Sequence, residues 1–347
     1  AQGAGHQRAP LPLDHPTPTS GLAGGTAPLA MRPLAVVTGA STGIGFHAAG
    51  QLANQGFDII LGCRNMARGK EVLRSMKDWY NLEARTEFCE LDLASFASVK
   101  AFADGIASRH TSLDLLVCNA GLNAASAPQE PERQLSEDGV DVLYQTNFLS
   151  HLLLALLLLP LLRAARGRMV SVTSVVHRAA EREHLGLARM VRKPYRSLYG
   201  LSKLAQIATS NELHRRFGTT YGVDFHTVNP GGVHTDIWRG YPWWQRLALG
   251  TVLMDSETAA ETVVRACTCE EGRSTKPKYW NGYQLAGRSC VFEYWSPFPA
   301  RKRLVESLPS ADARDPALAS EVWEESMATL KASGINVSYD GTELQVV

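Results

Sequence analysis

Tyr199 and Lys203 stand four positions apart in the stretch SLYGLSK (197–203). Residues at i and i+4 share one face of a helix, so a phenol and an ammonium can occupy one local environment there. An opposite charge beside a tyrosine favours its phenolate and lowers its pKa, which turns the phenol into a usable acid or base. Read alone, the same spacing also describes two ordinary neighbours, a half-buried ring beside a solvated amine. The surroundings decide between these readings.

A second chemical signal lies near the start of the folded region. The apolar run LAVVT (34–38) leads directly into Thr38-Gly39-Ala40-Ser41-Thr42-Gly43-Ile44-Gly45. Glycines at such a turn let the backbone approach a pyrophosphate closely, and the free N–H groups of the following helix face its charge. A nucleotide is expected on Thr38, Gly39, Ser41, Thr42, Gly43, Ile44 and Gly45. After the next apolar run the chain reads Leu61-Gly62-Cys63-Arg64-Asn65. No acid stands there to bind the ribose hydroxyls of NAD, whereas Arg64 suits the extra phosphate of NADP, so NADP(H) is favoured over NAD(H). The alternative for Arg64 is an exposed loop arginine.

The elements that must position these residues follow from periodicity. Short β-rich runs alternate with longer stretches of helical spacing, the signal of βαβ units and a parallel sheet. Strands are predicted over 34–38, 58–63, 86–93, 113–120, 168–174, 223–229 and, more weakly marked, 278–285. Helices are predicted over 43–55, 66–79, 95–108, 136–165, 198–216, 256–267 and 316–332. The most apolar stretch, LLLALLLLPLL (152–162), is half the roughly twenty residues of a bilayer span and reads as a buried helix, so no transmembrane helix is expected. Residues 1–32, rich in Ala, Gly, Pro and Thr, read as a disordered or loosely attached extension without a secretory leader. Residues 33–295 form the predicted catalytic domain, and 296–347 a C-terminal extension.

Of 347 residues, 45% are hydrophobic and 20% charged, and the formal charge of +1 offers no global field for nucleic acid or an anionic membrane. Six cysteines are scattered without metal-ligand spacing. They point to a reducing compartment, cytoplasm or an organellar matrix rather than secretion, and no metal is expected. Cys267 and Cys269 could form only a fragment of a metal site, with no partner pair nearby.

In order and spacing, TGASTGIG (38–45), LDL with Asp92, CNAG (118–121), TNF with Asn147, VTS with Ser174, YGLSK (199–203) and NPGGVHTD (229–236) resemble the short-chain dehydrogenase/reductase family, over residues 33 to 290. CRNMARGK (63–70), SNELHRRF (210–217) and the long gap from Ser174 to Tyr199 are similar to its retinol-dehydrogenase-like and WW-domain-oxidoreductase branch. No WW module or N-terminal anchor is read upstream.

The resemblance implies a single-domain, doubly wound Rossmann-type parallel sheet of about seven strands. It implies an oxidoreductase that moves hydride between nicotinamide and an apolar aldehyde, ketone or alcohol of retinoid, steroid or lipid type. Position by position, Asp92 would contact the adenine, Asn119 steady the central strand, and Ala120, Gly121, Pro230, Gly231 and Val233 line the cofactor. Asn147 would hold a proton-relaying water, Ser174 bond the substrate carbonyl, and Tyr199 act as acid/base. Lys203 would bind the nicotinamide ribose and lower the tyrosine pKa, and Thr235 would reach the carboxamide.

The chemistry agrees with this set. Carbonyl reduction builds charge on oxygen, so the site needs a hydrogen-bond donor and a proton donor there. Bland readings stand beside each residue: Ser174 ending a strand, Asn147 satisfying backbone groups in a helix, Asp92 capping a turn. Tyr195 and His177 are nearby rival proton donors.

Trp238, Tyr241, Trp243 and Trp244 crowd a segment (236–255) expected to cover the substrate. They suit either a pocket for a bulky apolar carbonyl or a peripheral membrane or protein contact through 236–247. The helices from 136 and 198 could pair across a homodimer. A rival of another class is a weakly active or non-catalytic NADP(H)-binding subunit of a larger assembly.

Overall fold

The valine-, isoleucine- and leucine-rich runs become strands buried on both faces, as a sheet covered by helices on each side requires. β1 (Leu34–Thr38), β2 (Asp58–Cys63), β3 (Thr86–Glu90), β4 (Leu115–Cys118), β5 (Arg168–Val172), β6 (Asp224–Asn229) and β7 (Lys278–Asn281) pair in parallel in the order 3-2-1-4-5-6-7. β1 is central to this arrangement, with Ala35 opposite Ile59 of β2 and Leu115 of β4. The strand order therefore reverses between β1 and β4, and ligands of open α/β sheets bind at such a switch point, beyond the carboxyl ends of the strands. The computed structural model describes residues 32–80, 84–123, 134–185, 195–233, 254–270, 276–282 and 304–347. Residues 1–31, the stretch 186–194, Thr235 and the aromatic residues Trp238, Tyr241, Trp243 and Trp244 lie outside them.

Helices cover both faces. α1 (Gly43–Asn54), α2 (Gly69–Tyr80) and α6 (Ser256–Thr268) contribute Phe46, Leu52, Met76 and Val263 to one core. α3 (Phe96–Ala107), α4 (Val142–Ala165), α5 (Tyr195–Leu213) and α7 (Pro316–Ala332) fill the other with Phe102, Leu158, Leu204 and Val322. Asp141 starts α4, its Oδ1 accepting from the N–H groups of Leu143 (3.0 Å) and Tyr144 (3.1 Å). This bond explains why the helix begins there rather than at 136. At 24 residues α4 is long and apolar enough to cross a membrane, yet most of its leucines are buried in this chain's own core, as the eleven-residue run suggested. From Gln145 to Leu149 it widens into a π-turn, a feature frequent at functional sites.

The C-terminal stretch joins the same body. A short strand, β8 (Val305–Ser307), pairs antiparallel with β7 and makes the sheet eight-stranded, one more than expected. α7 lies along α5, and a hairpin of β9 (Val337–Tyr339) and β10 (Leu344–Val346) packs beside it. Phe217 meets Trp323 of α7 and Tyr339 of β9 through ring contacts, with centroids 6.2 and 4.9 Å away. Among the described residues the exposed large apolar side chains are Met66, Trp79, Leu135, Leu308 and Val347. None is on α4 or α5, the helices whose pairing across a homodimer was expected; α7 packs on α5, and β10 touches α4.

Candidate active site

The turn after β1 is built for close approach. Gly39 has φ of 64°, in the left-handed region, and a Cβ added there would lie 2.7 Å from the Ala120 Cα. A Cβ on Gly45 would meet the Gly39 carbonyl oxygen at 2.6 Å and run into the Asn119 amide. The loop is thus pressed onto the end of β4 with no room for side chains. Asp255 and Asp315 cap α6 and α7 with side-chain oxygens, but Thr42 at the start of α1 makes no capping bond, and no acid stands in the first turn. Bare glycine backbone and an uncapped, acid-free helix start fit a pyrophosphate.

Thr38 and Asn119 shape this turn from beneath. Thr38 is fully buried, and its hydroxyl accepts from the N–H groups of Asn119 and Ala120, each at 3.0 Å. The Asn119 amide donates to the carbonyls of Thr38 (2.9 Å) and Gly39 (3.3 Å). His151 completes the account: Nδ1 faces the Asn147 carbonyl at 3.1 Å, so it must carry the proton, and Nε2 accepts the Thr38 hydroxyl at 2.9 Å. Thr38 therefore braces the loop with its side chain turned inward. Ser41 lies beside the Cys63 thiol, which burial pushes up to about 11. Arg64 follows β2 directly, is exposed, and has no side-chain partner among the described residues. Asp92 forms the foreseen turn, Oδ1 accepting from Ala94 N–H at 2.9 Å.

The chemical groups meet at the carboxyl ends of β4, β5 and β6. Ser174 follows β5 and heads a short 3-10 turn (Val175–Ala179). Gly200 lets α5 lie against that turn, since a Cβ there would come within 3.1 Å of the Val176 carbonyl. Tyr199 is thereby brought beside Ser174, near enough for the serine to favour its phenolate. His177 holds the Ser174 carbonyl through Nδ1 (2.7 Å) and accepts the Ser310 N–H through Nε2 (3.1 Å). With both nitrogens occupied it is a strut, not a rival proton donor. Asn229 at the end of β6 accepts from Val175 and Gly231, both at 3.3 Å, and so ties Ser174's loop to the Pro230–Val233 turn.

Two expectations about polarity are corrected. Tyr199 is held up at about 12, because burial outweighs the opposing effect of Ser174 beside it. Lys203 does not pull it down: its Nζ lies 5.6 Å from the tyrosine ring centroid and instead donates to the Val172 carbonyl and the Gln206 side chain, each at 2.9 Å. Burial brings Lys203 down to about 7, opposed by Cys118 beneath it. Asn147 is held by several partners. Its side chain is clamped to the Leu122 backbone at 2.7 and 2.9 Å and to Ser202 at 3.1 Å. Its main-chain carbonyl accepts from His151 and, at 2.7 Å, from Gln206. Gly121 sits above this group, its added Cβ 3.4 Å from Asn147 Oδ1 and 3.8 Å from Lys203 Nζ.

Three residues of the site escaped sequence reasoning: His151, Gln206 and Asn229. His151 carried a signal, a histidine inside an apolar run; Gln206 carried none. Among the described residues the grouping with metal-ligand spacing is Glu181, Glu183 and His184, largely exposed and with His184 paired to Glu181 at 2.8 Å.

These buried groups set a pH dependence of stability. Burial holds His151 and His177 at about 4, against an ordinary 6.5. Between those values the unfolded chain binds protons that the folded chain does not, so stability falls as pH drops through that window. Lys203, at about 7 against 10.5, makes stability rise with pH across 7 to 10.5. Thermal melts of wild type and Lys203→Met across both windows check this: the alkaline rise is expected as a difference between the two curves, and the acid loss in both.

The family described as short chain dehydrogenase matches residues 33–245. A WW domain-containing oxidoreductase of Gallus gallus is 34% identical over 304 residues, 83% of this chain and 66% of that protein. The chain spans between 52% and 66% of the length of the WW domain-containing oxidoreductases it matches. A polyprenol dehydrogenase of Mus musculus is 34% identical over 312 residues, covering 87% of this chain and 84% of its own. The L-sorbose reductase structure from Gluconobacter frateurii, complexed with NADPH and L-sorbose, superposes with a TM-score of 0.57 at 22% identity over 72% of this chain and 94% of its own, which shows the shared fold. With the glycine turn at the β1/β4 switch point and Ser174, Tyr199 and Lys203 gathered beside it, the matched region establishes that the chain belongs to the short chain dehydrogenase family.

Proposed function

We propose that the chain is an NADP(H)-dependent oxidoreductase that reduces an apolar aldehyde or ketone, or oxidises the corresponding alcohol. The observation that carries this reading is Tyr199 held beside Ser174 and buried Lys203, at the carboxyl ends of the strands that also hold the glycine turn. Gly39 to Gly45 would hold the pyrophosphate, Arg64 the ribose phosphate, and Lys203 the nicotinamide ribose. When bound there, NADP(H) supplies or accepts the hydride.

The chain's own groups manage the oxygen. Two acceptors fix the Lys203 amine, which leaves one N–H for a further partner. Tyr199, held at about 12, is protonated at neutral pH, so it stands ready to give its proton to a carbonyl oxygen as charge grows on it. Ser174 donates a second hydrogen bond to the same oxygen and steadies that charge. In the reverse direction an alcohol proton passes to the Tyr199 phenolate.

The preference for NADP(H) rests on exposed Arg64 and on the absence of an acid from Leu61 to Asn65. Fold relatives do not decide it, since NADPH and NADH both occur among their complexes. The apolar substrate class rests on relatives named for retinol and polyprenol and on the aromatic segment 236–247. Among the described residues Cys63, Cys89, Cys118, Cys267 and Cys269 form no disulfide, which suits a reducing compartment.

Titration of intrinsic fluorescence with NADPH and NADH tests the cofactor. Wild type is expected to prefer NADPH, and Arg64→Glu to weaken NADPH by about tenfold or more with little loss for NADH. Equal affinities in both proteins would remove Arg64 from this role.

A further inference from the structure

Gln206 sits on α5 one turn beyond Lys203 and is 4% exposed. Its Nε2 donates to the Asn147 carbonyl at 2.7 Å, and its Oε1 accepts from Lys203 Nζ at 2.9 Å. A carbonyl oxygen only accepts, so Asn147 forces the amide nitrogen toward α4 and the amide oxygen toward the amine. The π-turn from Gln145 to Leu149 departs from the regular i to i+4 ladder where Asn147 offers this oxygen, and His151 takes its other lone pair. The amide is thus oriented by a rigid neighbour, not by the lysine.

Lys203 gains from that orientation. Its Nζ is held between the Val172 carbonyl and the Gln206 oxygen, two fixed acceptors that favour a donating, cationic amine over a neutral one. The titratable groups facing it are Tyr199 of α5, Cys118 of β4 and His151 of α4, and no carboxylate acts on it. In such a site the acceptor at Gln206 is the side chain that opposes the cost of burying the charge.

We propose that Gln206 is a positioning residue for Lys203: its amide, locked by the Asn147 carbonyl, fixes the amine in place and sustains its cationic form. The kinetic consequence rests on the hydride-transfer reading above; the titration of Lys203 does not.

Isotope-edited NMR of the lysine ε-methylenes, assigned with Lys203→Met, reads the midpoint of Lys203 in wild type, Gln206→Leu and the isosteric Gln206→Glu. Circular dichroism confirms folding, and should Gln206→Leu fail to fold, the comparison with Gln206→Glu decides. Loss of the acceptor is expected to lower the midpoint by about one pH unit or more, and the added carboxylate to raise it by a similar amount. The alkaline limb of kcat moves in the same directions, with KM for the carbonyl little changed. Coincident midpoints in the folded proteins overturn the proposal. Shifted midpoints in a protein that binds NADPH but turns over no carbonyl leave it standing and defeat the hydride-transfer reading instead.

Discussion

Replacing Tyr199 by phenylalanine is expected to lower NADPH-dependent carbonyl reduction by about two to four orders of magnitude, the range that a positioned general acid contributes. The variant keeps the ring, so packing against Lys203 and the Ser174 turn survives, and NADPH binding should stay close to wild type. Loss of kcat with a nearly unchanged KM marks an interaction made in the transition state. The assay is steady-state kinetics beside a fluorescence titration of the cofactor. An active phenylalanine variant would remove Tyr199 from the chemistry, whatever its position.

Gly39→Ala should act at the other half of the site. The φ of 64° costs an L-residue about 1–2 kcal/mol, and the new Cβ would lie 2.7 Å from a backbone atom, Ala120 Cα, which cannot rotate away. The loop must lift off the end of β4, so NADPH affinity is expected to fall by about tenfold or more, since its backbone donors lose their geometry. Gly105 in α3 is the control: a Cβ there meets nothing within 4 Å, and alanine should stabilise the chain by up to about 1 kcal/mol. Urea denaturation and cofactor titration of the two variants should therefore differ in sign for stability, and only Gly39→Ala should weaken binding.

Much of the frame was legible because strands buried on both faces leave an unbroken apolar run. LAVVT and DIILGC coincide with β1 and β2 to the residue. The third strand was overrun at its end: Leu91 N–H still bonds the Cys63 carbonyl at 3.0 Å, but Asp92 then turns the chain, its Oδ1 accepting from Ala94. The C-terminal hairpin was missed although Asp340-Gly341 marks its turn, with Asp340 Oδ1 accepting from the N–H groups of Thr342 and Glu343 at 2.8 Å. Its strands of three residues are too short for periodicity to register. The pairing of β8 with β7 depends on a contact distant in sequence and left no local trace.

Site membership and site electrostatics were unequally readable. Motif order placed Asn147, Ser174, Tyr199 and Lys203 on elements that the fold brings together. The side-chain partners depended on backbone acceptors that no motif names. Lys203 turns to the Val172 carbonyl and to Gln206, so helical spacing from Tyr199 did not become an ion-pair-like lowering of the phenol.

The most direct test of the central claim is the change in nicotinamide absorbance when wild-type chain, NADPH and a panel of apolar aldehydes and ketones are mixed. The account predicts oxidation of NADPH with at least one retinoid-, steroid- or lipid-like carbonyl, and none with Tyr199→Phe. Tight NADPH binding with no turnover across the panel would contradict it and favour a cofactor-binding subunit that does no chemistry.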